Sequence, residues 1–267
     1  VRVERPLHEE RDVVLLVADR LSDAAALEIL LKVPRDSGIY EASRKQAARL
    51  LYQAYRRAPE SERDFAAPRF AEVAEGVLRL EQARAMAGTD QVAKDAAADV
   101  VVRVRQLADA LLGVSTPDVR RVEAALSVLE TVAAFHAMDL DSLKGELLFR
   151  RVQMAVALGD EAAITKHVDM IRAVGGPFAD ATDRLLYRRA LTAFRRADSD
   201  VELARQVVRY GARILESQNI AADSGLAAMR DSVAQAAAVI WRAENDVRMR
   251  DLAIKIDGEQ LETGQRT

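Results

Sequence analysis

Arginine side chains concentrated in one stretch give this sequence its clearest binding chemistry. Eight arginines fall within thirty residues that contain three acidic residues: Arg184, Arg188, Arg189, Arg195, Arg196, Arg205, Arg209 and Arg213. A guanidinium group binds carboxylates and phosphates through paired hydrogen bonds. Steps of four residues place the members of a row on one side of a helix. The contacts that we predict for an acidic protein or peptide partner are Arg184, Arg188, Arg205, Arg209 and Arg213. The alternative is a solvated outer face that is balanced by acids of adjacent helices.

The single tryptophan, Trp241, lies beside a long apolar seam. The seam advances in alternating steps of three and four residues, interrupted at Arg250, and consists of Leu226, Met229, Val233, Ala236, Ile240, Ala243, Val247 and Ile254. A period of 3.5 residues favours packing along a partner helix. We predict one long helix over 223–256, which either caps the fold or builds a homo-oligomer. Trp241 is then either an interface anchor or a core residue.

The histidines give little support to metal binding. His136 and Asp139 are three residues apart and could supply two ligands, but no third ligand is visible in the sequence. His167 and Asp169 are two residues apart, so they fall on different faces of a helix. His8 lies in the N-terminal flank, and the sequence contains no His-Glu-x-x-His string. We predict ordinary helical histidines and no metal.

Two acidic pairs fall in predicted turns, Asp139 with Asp141 and Asp198 with Asp200. Paired carboxylates can bind a divalent cation, but an aspartate in front of a helix more often accepts hydrogen bonds from first-turn amides. We therefore predict helix capping. The sequence has no cysteine, no Gly-Lys-Ser/Thr phosphate loop and no Gly-x-Ser-x-Gly motif. These absences predict a protein with no catalytic residue and no cofactor.

The elements that position these residues are predicted to be helices throughout. Apolar residues repeat at helical spacing between breaks that contain glycine or proline, and no stretch shows the sustained alternation of a strand. The pattern predicts ten or eleven helices near 8–20, 23–32, 38–58, 61–87, 90–112, 117–138, 141–158, 160–174, 178–197, 200–217 and 223–256. Loops of about 2–6 residues make sequential helices antiparallel neighbours. The predicted class is all-α, built from antiparallel helical hairpins.

Composition limits the class of function. Hydrophobic residues make up 50% of the chain, which is enough for a sizeable core, and the formal net charge is −3. A slightly acidic chain argues against a dedicated nucleic-acid binder. The most apolar stretch, 13–33, contains five charged residues and is not a transmembrane segment. Arginine is far more frequent than lysine, which is typical of G+C-rich bacterial genes. The composition does not fix the compartment.

Small and large apolar residues in the C-terminal half follow a known spacing. One set is Leu148, Ala155, the turn Gly159-Asp160, Ala163 and Ile164, and the next is Leu186, Ala190, Phe194, Asp200, Ala204 and Gly211. Over residues 141–217 this pattern resembles tetratricopeptide-like helical repeats. The resemblance implies a curved α-solenoid that binds a protein or peptide on its concave helical surface.

We expect four regions and a non-catalytic function. The regions are N-terminal hairpins of long helices (1–138), tetratricopeptide-like repeats (139–222), a long capping helix (223–257) and a flexible tail (258–267). The expected function is that of a scaffold or adaptor that binds a protein or peptide. One alternative is a structural subunit that assembles through the C-terminal helix. Another is an α-helical enzyme or ligand-binding domain with a site at His136 or His167.

Overall fold

The computed structural model describes residues 22–138, 140–197, 200–217 and 224–262, and this part of the chain is helical without any strand. Its eleven helices are α1 (Asp23–Lys32), α2 (Tyr40–Arg57), α3 (Glu60–Ala85), α4 (Gln91–Leu112), α5 (Val119–Phe135), α6 (Leu140–Leu158), α7 (Glu161–Val174), α8 (Pro177–Phe194), α9 (Val201–Ser217), α10 (Ser224–Glu244) and α11 (Val247–Glu262). The all-α class and the helix number are confirmed. The helix predicted over 8–20 lies outside the described residues.

Helices α1 to α5, together with the first and the last residues of α6, form one compact unit. Consecutive helices pack against each other, and alanines such as Ala47, Ala71 and Ala74 lie fully buried between them. Small side chains let helix axes approach closely. Aspartates start two of these helices: the Asp90 carboxylate accepts from the amide of Ala93 (2.9 Å) at α4, and Asp118 plays the same role at α5.

The second compact unit contains residues 144–153 of α6 and helices α7 to α11. Tyr187 and Phe194 of α8, Val207 of α9, and Val233 and Ile240 of α10 belong to its main core cluster. Helices α8, α9, α10 and α11 pack consecutively around this cluster. The unit therefore holds all the residues that we predicted to contact a partner.

Close packing at Gly211 brings α8, α9 and α10 together. A Cβ atom at this position would stand 2.3 Å from Val233 Cγ2 and 3.0 Å from Tyr187 Cε2. Only glycine leaves room for these two side chains, which explains why a residue of low helix propensity occupies the interior of α9.

The prediction of one helix over 223–256 is wrong. The chain forms α10 and α11, which are separated at Asn245-Asp246 and pack against each other. Asn245 has a left-handed φ of 56°, a conformation that asparagine tolerates at the end of a helix. The Asp246 carboxylate accepts from the amide of Arg248 at 3.0 Å and so caps the start of α11. The apolar seam is thus divided between two antiparallel helices.

The described helices also bear on membrane insertion. None of these helices combines the length and the apolar character that crossing a bilayer requires.

Candidate protein-interaction surface

The predicted arginines form two exposed rows on neighbouring helices of the second unit. Arg184 and Arg188 lie one turn apart on α8, and Arg205, Arg209 and Arg213 lie one turn apart on α9. All five are exposed, because the buried faces of both helices point toward the core. Helices α8 and α9 pack against each other, so the two rows belong to one hairpin.

Acidic neighbours occupy two of the five arginines. Arg205 donates to Glu202 of its own helix at 3.1 Å and makes a shorter contact with Glu244 of α10. Arg213 lies 3.9 Å from Asp183, which Arg172 also contacts. These pairs neutralise part of the surface that we predicted to be available for a partner.

Three arginines keep their charge open to solvent. Arg184, Arg188 and Arg209 make no ion pair with any residue that the structure describes. These three side chains, on two adjoining helices, are the predicted contacts that have no acidic partner among the described residues.

Trp241 is neither fully buried nor fully exposed. It lies on α10 one turn before Glu244, the residue that Arg205 contacts. Residues three apart on a helix are neighbours on its surface. Trp241 therefore lies beside the point where the arginine row of α9 meets α10, and it does not belong to the main core cluster.

The structure describes two of the three histidines, His136 and His167. The Nε2 atom of His136 lies 2.8 Å from the carbonyl oxygen of Ala85, at the end of α3, and its ring packs edge-on against Phe135. His136 thereby satisfies a carbonyl group at a helix end. His167 is half-buried in α7, and His8 lies outside the described residues. Within the described ranges, no group of three or more His, Asp or Glu side chains is arranged to hold a metal ion.

Of the four aspartates in the two predicted pairs, the structure describes only the side chain of Asp200. Helix capping accounts for its position. The Asp200 carboxylate accepts from the amides of Glu202 (2.9 Å) and Leu203 (3.0 Å) at the start of α9. This bonding is the capping that we predicted. Asp139, the side chain of Asp141, and Asp198 lie outside what the structure describes.

A buried charged cluster in the first unit was not predicted. Glu81 of α3 has a side chain with no solvent exposure and accepts from Arg103 of α4 at 3.2 Å. Lys45 of α2 lies 3.8 Å from the same carboxylate and 2.8 Å from Asp99. Burial raises the pKa of Glu81, and the positive charges of Arg103 and Lys45 oppose this rise only in part. The sequence signal was spacing: Glu81 follows Ala74 and Leu78 at steps that return to the same side of a helix, and all three residues are buried.

Sequence reasoning also missed an apolar cleft in the first unit. Phe65, near the start of α3, is 82% exposed. It borders a cleft of about 330 Å³ whose other apolar walls are Leu51, Ala54, Ala58 and Ala66. The sequence signal was a phenylalanine directly after the charged residues Glu62, Arg63 and Asp64.

A second cleft of about 330 Å³ in the same unit contains polar groups that bond to each other. Asp64 accepts from the amide of Ser115 at 2.8 Å and from the hydroxyl of the same residue. These hydrogen bonds lower the pKa of Asp64. The carboxylate therefore holds the loop before α5.

Comparisons of the chain with protein-family models, curated proteins and solved structures found no match. The all-helical structure is compatible with a helical-repeat fold.

Proposed function

We propose that this protein is a non-catalytic scaffold that binds an acidic protein or peptide through the arginine surface of α8 and α9. The observation that carries the proposal is the exposure of Arg184, Arg188 and Arg209 on two packed helices without a described acidic partner. Bidentate hydrogen bonds from arginine give carboxylates a defined orientation as well as affinity. Trp241, half-buried at the edge of the same surface, supplies an aromatic contact of the kind that anchors interfaces.

We also propose that α6 to α9 are tetratricopeptide-like repeats. Support comes from the positions that carry the resemblance: Gly159 has a left-handed φ of 68° in the turn between α6 and α7, and Ala204 is fully buried at the small-residue position of α9. The close packing of neighbouring helices around Gly211, another residue of the repeat pattern, also supports the proposal. In such a repeat, successive hairpins present side chains on a continuous surface, which suits an extended peptide.

The proposal predicts that charge reversal at three of these arginines weakens binding of an acidic peptide. The test uses a fluorescently labelled Glu-rich peptide and measures its anisotropy against the full chain at low and physiological salt. Replacement of Arg184, Arg188 and Arg209 by glutamate is expected to weaken binding at least ~10-fold, since each exposed charge contributes a modest, salt-screened share. Wild-type binding is expected to weaken as salt increases.

A matched control carries the same change in charge on the first unit. Arg49, Arg79 and Arg120 are exposed and make no ion pair with a described residue, so their replacement by glutamate tests net charge alone. The control should retain most of the affinity. Equal loss in both triple variants would show non-specific attraction and contradict the proposal. Tighter binding of an oligonucleotide of the same charge would point to a different class of partner.

A further inference from the structure

The apolar cleft between α2 and α3 leaves a large aromatic ring uncovered. Leu51 is buried at this cleft, whereas Phe65 is 82% exposed. The other apolar walls are the small residues Ala54, Ala58 and Ala66. Small walls beside an exposed ring form a surface that apolar side chains can fill, and burial of such a surface is favourable.

Helix α1 begins next to this cleft. It packs along α2, and Asp23, its first residue, lies 3.3 Å from Arg57 Nη1. Arg57 directly precedes Ala58 of the cleft wall. At the other end of α1, the carbonyl oxygen of Leu31 accepts from Arg44 at 3.0 Å. Helix α1 is therefore antiparallel to α2, and the chain that precedes α1 joins it at the cleft.

An apolar run precedes α1 at a short distance along the chain. Residues 13–17 read Val-Val-Leu-Leu-Val and end five residues before the first described residue. The run belongs to the helix predicted over 8–20, in which Val13, Leu16 and Val17 share one side. Five residues span at most about 17 Å, so the run is within reach of the cleft.

We infer that residues 13–17 occupy this cleft and cover Phe65, so that a segment of the chain itself fills the site. A short tether gives such a segment an effective concentration on the order of millimolar, against which a second copy or another protein would have to compete. The inference is independent of the proposed function, because the cleft belongs to the first unit and the arginine surface to the second. An apolar ligand could then enter the cleft only by displacing this segment.

Cross-linking within the full chain tests this placement, because the sequence contains no native cysteine. The test variant carries Val17→Cys in the apolar run and Ala54→Cys in the cleft wall. A short bismaleimide reagent should join the two thiols within one chain, which peptide mass spectrometry detects. Products that link two chains instead would assign the cleft to a second copy and overturn the inference.

The control places the second cysteine at the opposite end of the first unit, by Val92→Cys at a residue of α4 that is 60% exposed. Tyr52 of α2 contacts Asp109 of α4, and Lys45 contacts Asp99, so the two helices run in the same direction. Val92 lies about 25 Å along α4 from Asp109. The control pair should therefore cross-link at least ~10-fold more slowly. Equal rates would show a segment without a fixed site, which contradicts the inference.

A change at Phe65 separates occupation of the cleft from mere proximity. Phe65→Asp would force the apolar run to bury a carboxylate, so it should slow the cross-link between positions 17 and 54 at least ~10-fold. Because Phe65 lies outside the core, circular dichroism should show an unchanged helix content. Val92→Asp, at another exposed apolar residue of the same unit, should leave the rate unchanged. An unchanged rate with Phe65→Asp would overturn the inference, since the run would then lie near the cleft without filling it.

Discussion

Arg103→Met is expected to lower the free energy of unfolding of the first unit by about 3–5 kcal/mol at neutral pH. Arg103 donates to Glu81, whose side chain has no solvent exposure and whose second carboxylate oxygen has no hydrogen-bond partner. Removal of the guanidinium leaves a buried carboxylate with only Lys45, at 3.8 Å, to compensate it. Methionine retains most of the apolar stem of arginine. The decrease in the free energy of unfolding therefore measures the loss of the charge and not the creation of a cavity. Urea unfolding followed by circular dichroism measures the effect.

The penalty of Arg103→Met should decrease in acid. The pKa of Glu81 in the folded chain is already raised above its ordinary value of 4.5, so the folded state holds this proton more tightly than the unfolded state does. The stabilisation from protonated Glu81 is full below that ordinary value and is lost as pH increases through the raised pKa. The variant should therefore be closest to wild type near pH 4.5 and furthest from it near pH 7.

Two further variants separate this explanation from simple loss of packing. Glu81→Gln in the Arg103→Met background should recover much of the stability at neutral pH, because the uncompensated charge is gone. Arg79→Met, at an exposed arginine of α3, should change stability by less than ~0.5 kcal/mol. An Arg103→Met penalty that is the same at both pH values would contradict the role assigned to the Glu81 carboxylate.

Gly211→Ala is expected to destabilise the second unit by about 1–3 kcal/mol. The new methyl group would stand 2.3 Å from Val233 Cγ2 and 3.0 Å from Tyr187 Cε2, so α8 and α10 would have to move away from α9. Both neighbours are buried, and neither can turn toward solvent. Thermal unfolding monitored by circular dichroism measures the change.

A buried glycine of the same unit provides the control for Gly211→Ala. At Gly145 of α6 the nearest atom to a new Cβ would be Phe178 Cδ2 at 3.4 Å, an ordinary van der Waals distance. Gly145→Ala should be neutral or slightly stabilising, since alanine has the higher helix propensity. Val233→Ala should partly rescue Gly211→Ala by removing the nearest methyl group. A fully stable Gly211→Ala variant would show that the three helices are not packed as closely as described.

Helical periodicity was sufficient to predict the fold class and most helix positions. The apolar spacing in the segments of α8 and α9 depends only on local sequence, and it also placed the arginine rows on exposed faces. The break at Asn245-Asp246 was missed because apolar residues keep helical spacing on both sides of it. Neither residue is glycine or proline, yet together they end one helix and cap the next.

The candidate site could be predicted only in part, because the pairing of charges depends on tertiary contacts. Arg205 resembles Arg209 in sequence context, but only Arg205 is opposite Glu244, which lies 39 residues further along the chain. The pairing of Glu81 also depends on a tertiary contact, since its partner Arg103 is 22 residues away on the next helix. A pattern along one helix does not report which face a neighbouring helix will cover.

The position of Trp241 has a practical consequence for spectroscopy of this chain. It is the sole indole and lies on α10, in the second unit, whereas Tyr40, Tyr52 and Tyr55 lie in the first. Excitation at the red edge of indole absorption therefore follows the melting of one unit alone, while far-ultraviolet ellipticity follows both. Coincident transitions in the two signals would identify a single cooperative block, and separated transitions would identify two blocks that melt in turn.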